Sequence, residues 1–321
     1  MSSVPRRAAG AVVALIAVVL VSACGTGTYT PTTVPTPTAS TAAAGSSATA
    51  TPATCENATQ SYDPVGLTGA AADNAVQAIR DHGYLTAGVS ADSLLLGSRN
   101  PLTNQIEGFD IDMVHAVAGA ILGDPNKVNL VVISAADRLK ALQDNRVDVV
   151  VRNMTMTCDR WTQIAFSAEY YRSGLKILVD RDSPVTTLEG LAGKKVCAPN
   201  GTSTMEKVKA TQGLIAVGAD THTGCLVLFQ EGEVNAIAGD DTVLAGLVAQ
   251  DPYAKVPQMQ PLTAEPYGIG VNKDKIDLVR YINRVVDAMK TDGRWKSAYN
   301  KWFSEALGPA PEPPKSSYGR T

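Results

Sequence analysis

Between Leu85 and residue 151, three short apolar runs alternate with two segments of helical periodicity, and this alternation constrains the fold more than any other feature. The runs Leu85–Val89, 129–133 and 148–151 read as strands, with helices over 110–122 and 137–144 between them. In the first helix Ile111, Val114, Ala118, Ile121 and Leu122 recur at the spacing of one buried face. Asp110 and Asp112 sit in its first turn, where the helix dipole favours negative charge. Consecutive βαβ units with right-handed crossovers imply a parallel sheet. A helix over Asn74–His82 precedes this block, and 90–104 reads as a loop.

A second unit follows. Residues 175–179, 195–198, 236–238 and 267–271 read as strands, 188–191 as a helical turn and 226–230 as a helix. Asn200-Gly201-Thr202-Ser203 turns into another helix, with Ser203 and Glu206 in the spacing of an S-x-x-E capping box. Helix then runs over 276–303 with a break at Asp292-Gly293, and Leu278, Ile282, Val285, Val286 and Met289 share its apolar face. Two α/β units imply a cleft at the carboxyl ends of the strands, where ligands of open α/β sheets bind.

At the end of the third strand, Thr155, Thr157 and Arg160 fall within six residues. Hydroxyls, a guanidinium fork and the free N–H groups of a helix start suit a small carboxylate. Read alone, the segment is also an ordinary strand–helix turn with a surface arginine.

The chain begins with Arg6 and Arg7, an apolar run over 11–21, and Val21-Ser22-Ala23-Cys24. A basic start, a run well short of a membrane span and small residues before a cysteine make residues 1–23 a secretory signal. Cys24 resembles the acylated cysteine of the bacterial lipoprotein lipobox, and acyl chains there (palmitate among them) would hold the protein to the bilayer on the extracytoplasmic face of the cell membrane; the alternative is plain secretion with an unmodified Cys24. Residues 24–54 are almost entirely Thr, Ala, Pro, Ser and Gly and read as a disordered linker, and 308–321 as a disordered, proline-rich tail. Removing 1–23 takes away Arg6 and Arg7 and no acid, moving the formal charge from −3 to −5. That mild acidity argues against nucleic acid as a partner. With Cys24 assigned to lipid, four of the five cysteines remain for two disulfides. Three pairings are open; Cys197–Cys225 with Cys55–Cys158 is favoured because Cys197 and Cys225 flank one αβ segment. No CxxC and no ligand-like spacing of His82, His115 and His222 is present, so neither a metal nor another cofactor is expected.

Glu107-Gly108-Phe109-Asp110-Ile111-Asp112, Asp137-Arg138-Leu139, Met154-Thr155-Met156-Thr157 with Arg160, Ala165-Phe166-Ser167, Gly193-Lys194-Lys195-Val196, Tyr267-Gly268-Ile269-Gly270-Val271 and Gly293-Arg294-Trp295 occur in an order and spacing that spans nearly all of 85–303. Together they resemble the family 3 extracellular solute-binding proteins, the polar amino-acid receptors of ABC importers. The resemblance implies an α/β fold of the periplasmic-binding-protein-like type II, two lobes joined by two crossing hinge strands near 170–176 and 266–270. Lobe 1 would take 55–170 and 268–307, and lobe 2 would take 171–267. It implies that Arg160 grips the ligand α-carboxylate with Thr155, that Asp241, with Asp240 beside it, binds the ammonium, and that Arg138 meets a side-chain carboxylate. Ser90, Thr202 and Ser203 fall at loop and helix-start contacts. Arg152 and Asn153 stand where relatives are usually small, and Ala135 replaces a common stacking aromatic. A pocket richer in cation and poorer in aromatic surface favours glutamate or aspartate, with glutamine or asparagine next. The implied protein is a monomeric receptor that presents its ligand to an ABC permease, or, alternatively, to a membrane sensor protein. An enzyme resembling cyclohexadienyl dehydratase on the same fold is the remaining rival, disfavoured because no acid beyond Asp240 and Asp241 faces the clamp and no nucleophile motif is present.

Overall fold

The computed structural model describes residues 57–64 and 74–321, which belong to one compact unit. The readings that fall on 1–56, including Cys24 and Cys55, lie outside the described residues.

Two sheets divide the chain. In the first, the strand order is Val128–Val132, Leu85–Val89, Val149–Val150, Gly270–Val271, Ala165–Phe166. The first three are parallel, with Leu85 opposite Val128 and Ala87 opposite Val149. Gly270–Val271 enters from the far end of the chain and runs antiparallel to both neighbours. In the second sheet the order is Ile215–Ala219, Lys195–Pro199, Ala236–Asp240, Tyr171–Asp180, Ala254–Lys255. Tyr171–Asp180 also pairs antiparallel with Ala264–Tyr267, Tyr171 opposite Tyr267 and Gly174 opposite Ala264. Among the described residues this antiparallel pair runs between the two sheets and forms the hinge.

The strand expected over 267–271 is therefore two strands. The chain leaves the hinge ladder at Tyr267 and joins the first sheet at Gly270. The 90–104 loop instead folds into a three-stranded antiparallel sheet of Asp92–Ser93, Gly97–Arg99 and Ile106–Glu107. Several elements were not expected, among them the edge strand Ile215–Ala219 and the helix Asp241–Gln250.

The first lobe closes around Phe109, whose ring meets Tyr170, Tyr171, Trp295 and Phe303 at centroid distances of 6.3, 5.6, 6.0 and 4.8 Å. Helices Phe109–Leu122, Ile276–Thr291 and Arg294–Trp302 bury their apolar faces there. The second lobe has its own core on Ile177, Val196, Met205 and Ala238, and another on its opposite face around Cys197, Cys225 and Leu244.

Cys197 and Cys225 form a disulfide joining the strand Lys195–Pro199 to the helix His222–Gln230 over a separation of 28 residues. Replacing both by alanine should lower unfolding stability by about 2–4 kcal/mol, chiefly by freeing the denatured chain, as read from the midpoint of urea denaturation. Cys158 is also disulfide-bonded; its expected partner lies outside the described residues.

The tail does not behave as its proline content suggests. Ser316 and Tyr318 both donate to Asp287, and Lys290 donates to Ser316 and to the Glu169 carbonyl. Arg320 lies 3.7 Å over the Trp161 ring, and Ser317 pairs with Gln60. Composition alone marks the segment as unable to pack, but these few side chains tie it to the first lobe.

Candidate functional site

The turn after Val149–Val150 is set by its anchors. Asp110, buried at the start of its helix, accepts the Asn153 backbone N–H at 2.8 Å and the Tyr170 hydroxyl at 2.7 Å. Burial nevertheless pushes its carboxyl up to about 6, against the pull of these bonds and of Arg152 and Arg138. Held this way, Asn153 takes φ +37°, a left-handed value that asparagine tolerates better than most residues. Thr157 then caps the short helix Cys158–Trp161 by accepting the Arg160 N–H.

Three guanidinium groups meet behind this turn, and each is almost fully buried, with Arg138 3 %, Arg152 4 % and Arg160 8 % exposed. Arg160 donates to the Thr155 carbonyl at 2.6 Å and to the Gly201 carbonyl at 3.3 Å. Arg138 donates to Ala135, Arg152 and Asn153 carbonyls on its own lobe and to Gly201 across the cleft at 3.2 Å. Arg152 donates to the Ile133 carbonyl at 2.9 Å. Burial lowers all three from the usual guanidinium range, and for Arg138 its two arginine neighbours add to the effect. So dense a cluster of buried cations requires compensating acceptors.

Gly201 makes the close approach between lobes possible. It sits at φ +71°, and a Cβ there would come within 2.7 Å of the Ala136 backbone. The next residue, Thr202, caps the helix Ser203–Ala210 by accepting the Met205 N–H at 3.0 Å. The capping box expected on Ser203 and Glu206 is thus shifted: Thr202 is the cap, because it keeps an extended backbone while Ser203 is already helical. This leaves the Ser203 hydroxyl free to donate to Glu265 at 2.9 Å.

Facing the arginines are Asp240, at the end of the strand Ala236–Asp240, and Glu265, on the hinge strand Ala264–Tyr267. Asp240 accepts the Tyr267 hydroxyl at 2.6 Å. Burial, then the Glu265 charge, push its carboxyl up to about 7, with the Tyr267 bond opposing. Glu265 accepts the Thr155, Ser203 and Thr263 hydroxyls at 2.7, 2.9 and 2.6 Å. His222, the first residue of its helix, is buried and pushed down to about 3 by burial and by Arg152, with Asp92 acting the other way.

Among the described residues, three buried side-chain atoms lack a hydrogen-bond partner: Asn153 Oδ1, His222 Nε2 and Asp240 Oδ1. All three belong to this cluster. Native proteins pair nearly all such atoms, so three in one place mark a polar surface built for something else to complete.

The residues singled out from sequence divide accordingly. Arg138, Arg152, Asn153, Thr155, Arg160, Ser203 and Asp240 are brought together. Asp241 is not: it begins the helix Asp241–Gln250, accepts the Ser173 hydroxyl at 2.6 Å and lines an outer hollow with Lys176, Lys301 and Trp302. Ser90 bonds to Asp92 and Ser93 in its own loop, and Thr202 serves its helix and the Pro199 carbonyl. Glu265, His222, Asp110 and Tyr267 were not anticipated as site residues. The EPYG sequence at 265–268 was the one available pointer, since it places an acid two residues before a hinge tyrosine. Among the described residues no group of three or more His, Cys, Asp or Glu is arranged to hold a metal, and no helix is long and apolar enough to cross a membrane.

Two α/β lobes, two crossing strands and a buried charged cluster between them define a two-lobed solute-binding protein. Residues 85–305 match the bacterial extracellular solute-binding proteins, family 3, and the chain belongs to that family. The glutamine-binding protein GlnH of an ABC transporter in Bacillus subtilis (strain 168) is 32 % identical over 231 residues, 71 % of this chain and 84 % of that one. The glutamate-binding protein GluB of Corynebacterium efficiens is 29 % identical over 240 residues, 71 % and 80 % of the two chains. Among solved structures, holo ArgBP from T. maritima superimposes with a TM-score of 0.63 at 30 % identity, covering 71 % of this chain and 99 % of that one. The protein is a substrate-binding receptor that works outside the cytoplasm.

Proposed function

We propose that the receptor takes an acidic α-amino acid, glutamate or aspartate, between its lobes for delivery to an ABC permease. The observation that carries this reading is the convergence of three unpartnered buried atoms on a cluster of three buried guanidinium groups. Arg160, with the Thr155 and Ser203 hydroxyls, suits the α-carboxylate; a planar fork matches it bidentately. Asp240, with one oxygen unpartnered, suits the ammonium, and takes over the role that the family resemblance implied for Asp241. Arg138 and Arg152 then remain for a distal carboxylate, with Asn153 and His222 beside them. A basic side chain would add a fourth cation to a buried cluster of three. The relatives bind glutamine, glutamate or arginine by their names, so similarity does not choose among these ligands and the charge of the cleft must. A glutamine or asparagine side chain fits the same place with less charge compensation.

In this reading acylation of Cys24 keeps the receptor at the membrane surface, and the receptor is a monomer that binds its ligand without transforming it.

A thermal-shift panel of the amino acids tests the reading. Glutamate or aspartate at a hundredfold excess over Kd should stabilise the protein by about 2.7 kcal/mol through mass action. A basic or aromatic amino acid giving the largest shift would sink it. Asp240 adds a pH signature. Its carboxyl, raised to about 7, is ionised above that pH and protonated below it, and only the ionised form pairs with an ammonium. Affinity should therefore fall, up to about tenfold per pH unit, as the pH drops below 7. Calorimetry on Asp240→Asn should show weak binding and no such slope.

A further inference from the structure

Glu265 stands out because its partners come from everything that moves. Thr155 belongs to the first lobe, Ser203 opens a helix of the second, and Glu265 itself lies on a hinge strand, paired in register with Ser173. Thr155 and Ser203 donate to the same oxygen, Oε2, and their own hydroxyl oxygens are 3.2 Å apart. The third hydroxyl, of Thr263, holds Oε1 and so fixes the orientation of the carboxyl group. The carboxylate is 4 % exposed, and it is the foremost charge that favours the Arg160 cation.

These are the groups that the proposed function assigns to the ligand's α-carboxylate. A hydroxyl has one proton to donate, so Thr155 and Ser203 cannot serve Glu265 and an incoming carboxylate at full strength together. Arg160 faces the same choice between two anions. We propose that Glu265 is a built-in counter-carboxylate, which occupies the α-carboxylate donors, ties both lobes to the hinge, and sets the affinity by having to yield those donors when an amino acid binds. The inference rests on the assignment of Arg160, Thr155 and Ser203 to the α-carboxylate.

Removing this competitor should tighten binding. A bound state that must first give up an alternative set of contacts has an apparent Kd raised by the population of that alternative. Glu265→Gln keeps the size of the side chain and removes its charge; Glu265→Asp keeps the charge and shortens the reach to Thr155 and Ser203. Both should bind glutamate more tightly than wild type in calorimetry, by about tenfold for Glu265→Gln, the effect of losing roughly one charged hydrogen-bond contact. Small-angle scattering of the ligand-free variants should show a larger radius of gyration than ligand-free wild type, with both converging on addition of glutamate. Weaker binding by Glu265→Gln would overturn the proposal, since Glu265 would then be a partner of the ligand ammonium. Unchanged affinity and radius would overturn it too. If Glu265→Gln does not fold, as judged by circular dichroism, Glu265→Asp decides alone. Arg160→Ala separates the two levels: wild-type affinity in that variant removes the α-carboxylate assignment itself, whereas lost affinity there with no gain in the Glu265 variants removes only the role of Glu265.

Discussion

Arg160→Ala should weaken glutamate binding by about 2–5 kcal/mol, a loss of roughly 30-fold to several thousandfold in Kd by calorimetry. The magnitude follows from burial. Arg160 is 8 % exposed and its guanidinium donates to the Thr155 and Gly201 carbonyls, so its charge is met chiefly by Glu265 and Asp240 rather than by water. An α-carboxylate brought into the cleft without it would be a buried anion facing Asp240 and Glu265. Arg160→Lys should be intermediate, because an ammonium restores the charge but not the bidentate fork. Binding by Arg160→Ala at wild-type strength would remove the clamp from the mechanism.

Phe109→Ala should cost about 3–5 kcal/mol of unfolding stability, measured as a lower urea midpoint with an unchanged slope. The ring is fully buried and meets four other aromatic residues, Tyr170 and Tyr171 at the start of the hinge strand and Trp295 and Phe303 in and just after the helix Arg294–Trp302. No single neighbour can collapse into so large a hole while keeping its other ring contacts. A loss below about 1 kcal/mol would mean that the aromatic cluster repacks freely. Phe109 also adjoins Asp110, which pins the Asn153 turn, so the same variant should bind ligand less tightly.

The order of strands and helices in the first lobe was legible because each carries a full period of apolar residues, as in Ile111, Val114, Ala118 and Ile121. Arg160 was legible because capping threonine, helix start and guanidinium lie within one turn. The choice between Asp240 and Asp241 was not. Side chains alternate across a strand, and which acid faces the cleft depends on whether the strand ends at residue 238 or 240; it ends at Asp240. Glu265 was missed for a different reason, despite the EPYG pointer. A lone acid in a short strand looks like a solvent-facing charge, and only the ladder with Tyr171–Asp180 turns it inward. His222 was passed over because metal-type spacing is not what a binding histidine needs. The docked tail was misread because proline content describes a segment's average, whereas Ser316, Tyr318 and Arg320 act one by one.

The pairing of Gln60 with Ser317, and of Ser61 with Ser317 and Arg320, brings residues that bracket the folded body side by side on the first lobe. The second lobe then carries neither end. A tether attached ahead of Gln60 would pull on the first lobe, where Gln60 pairs with Ser317, and leave the other free to swing. The same adjacency makes the chain a natural candidate for circular permutation: a short linker can join the two ends, and new ends can be opened in a surface turn of the second lobe. A fluorescent reporter inserted at such a turn would ride on the moving half of the molecule and report closure directly.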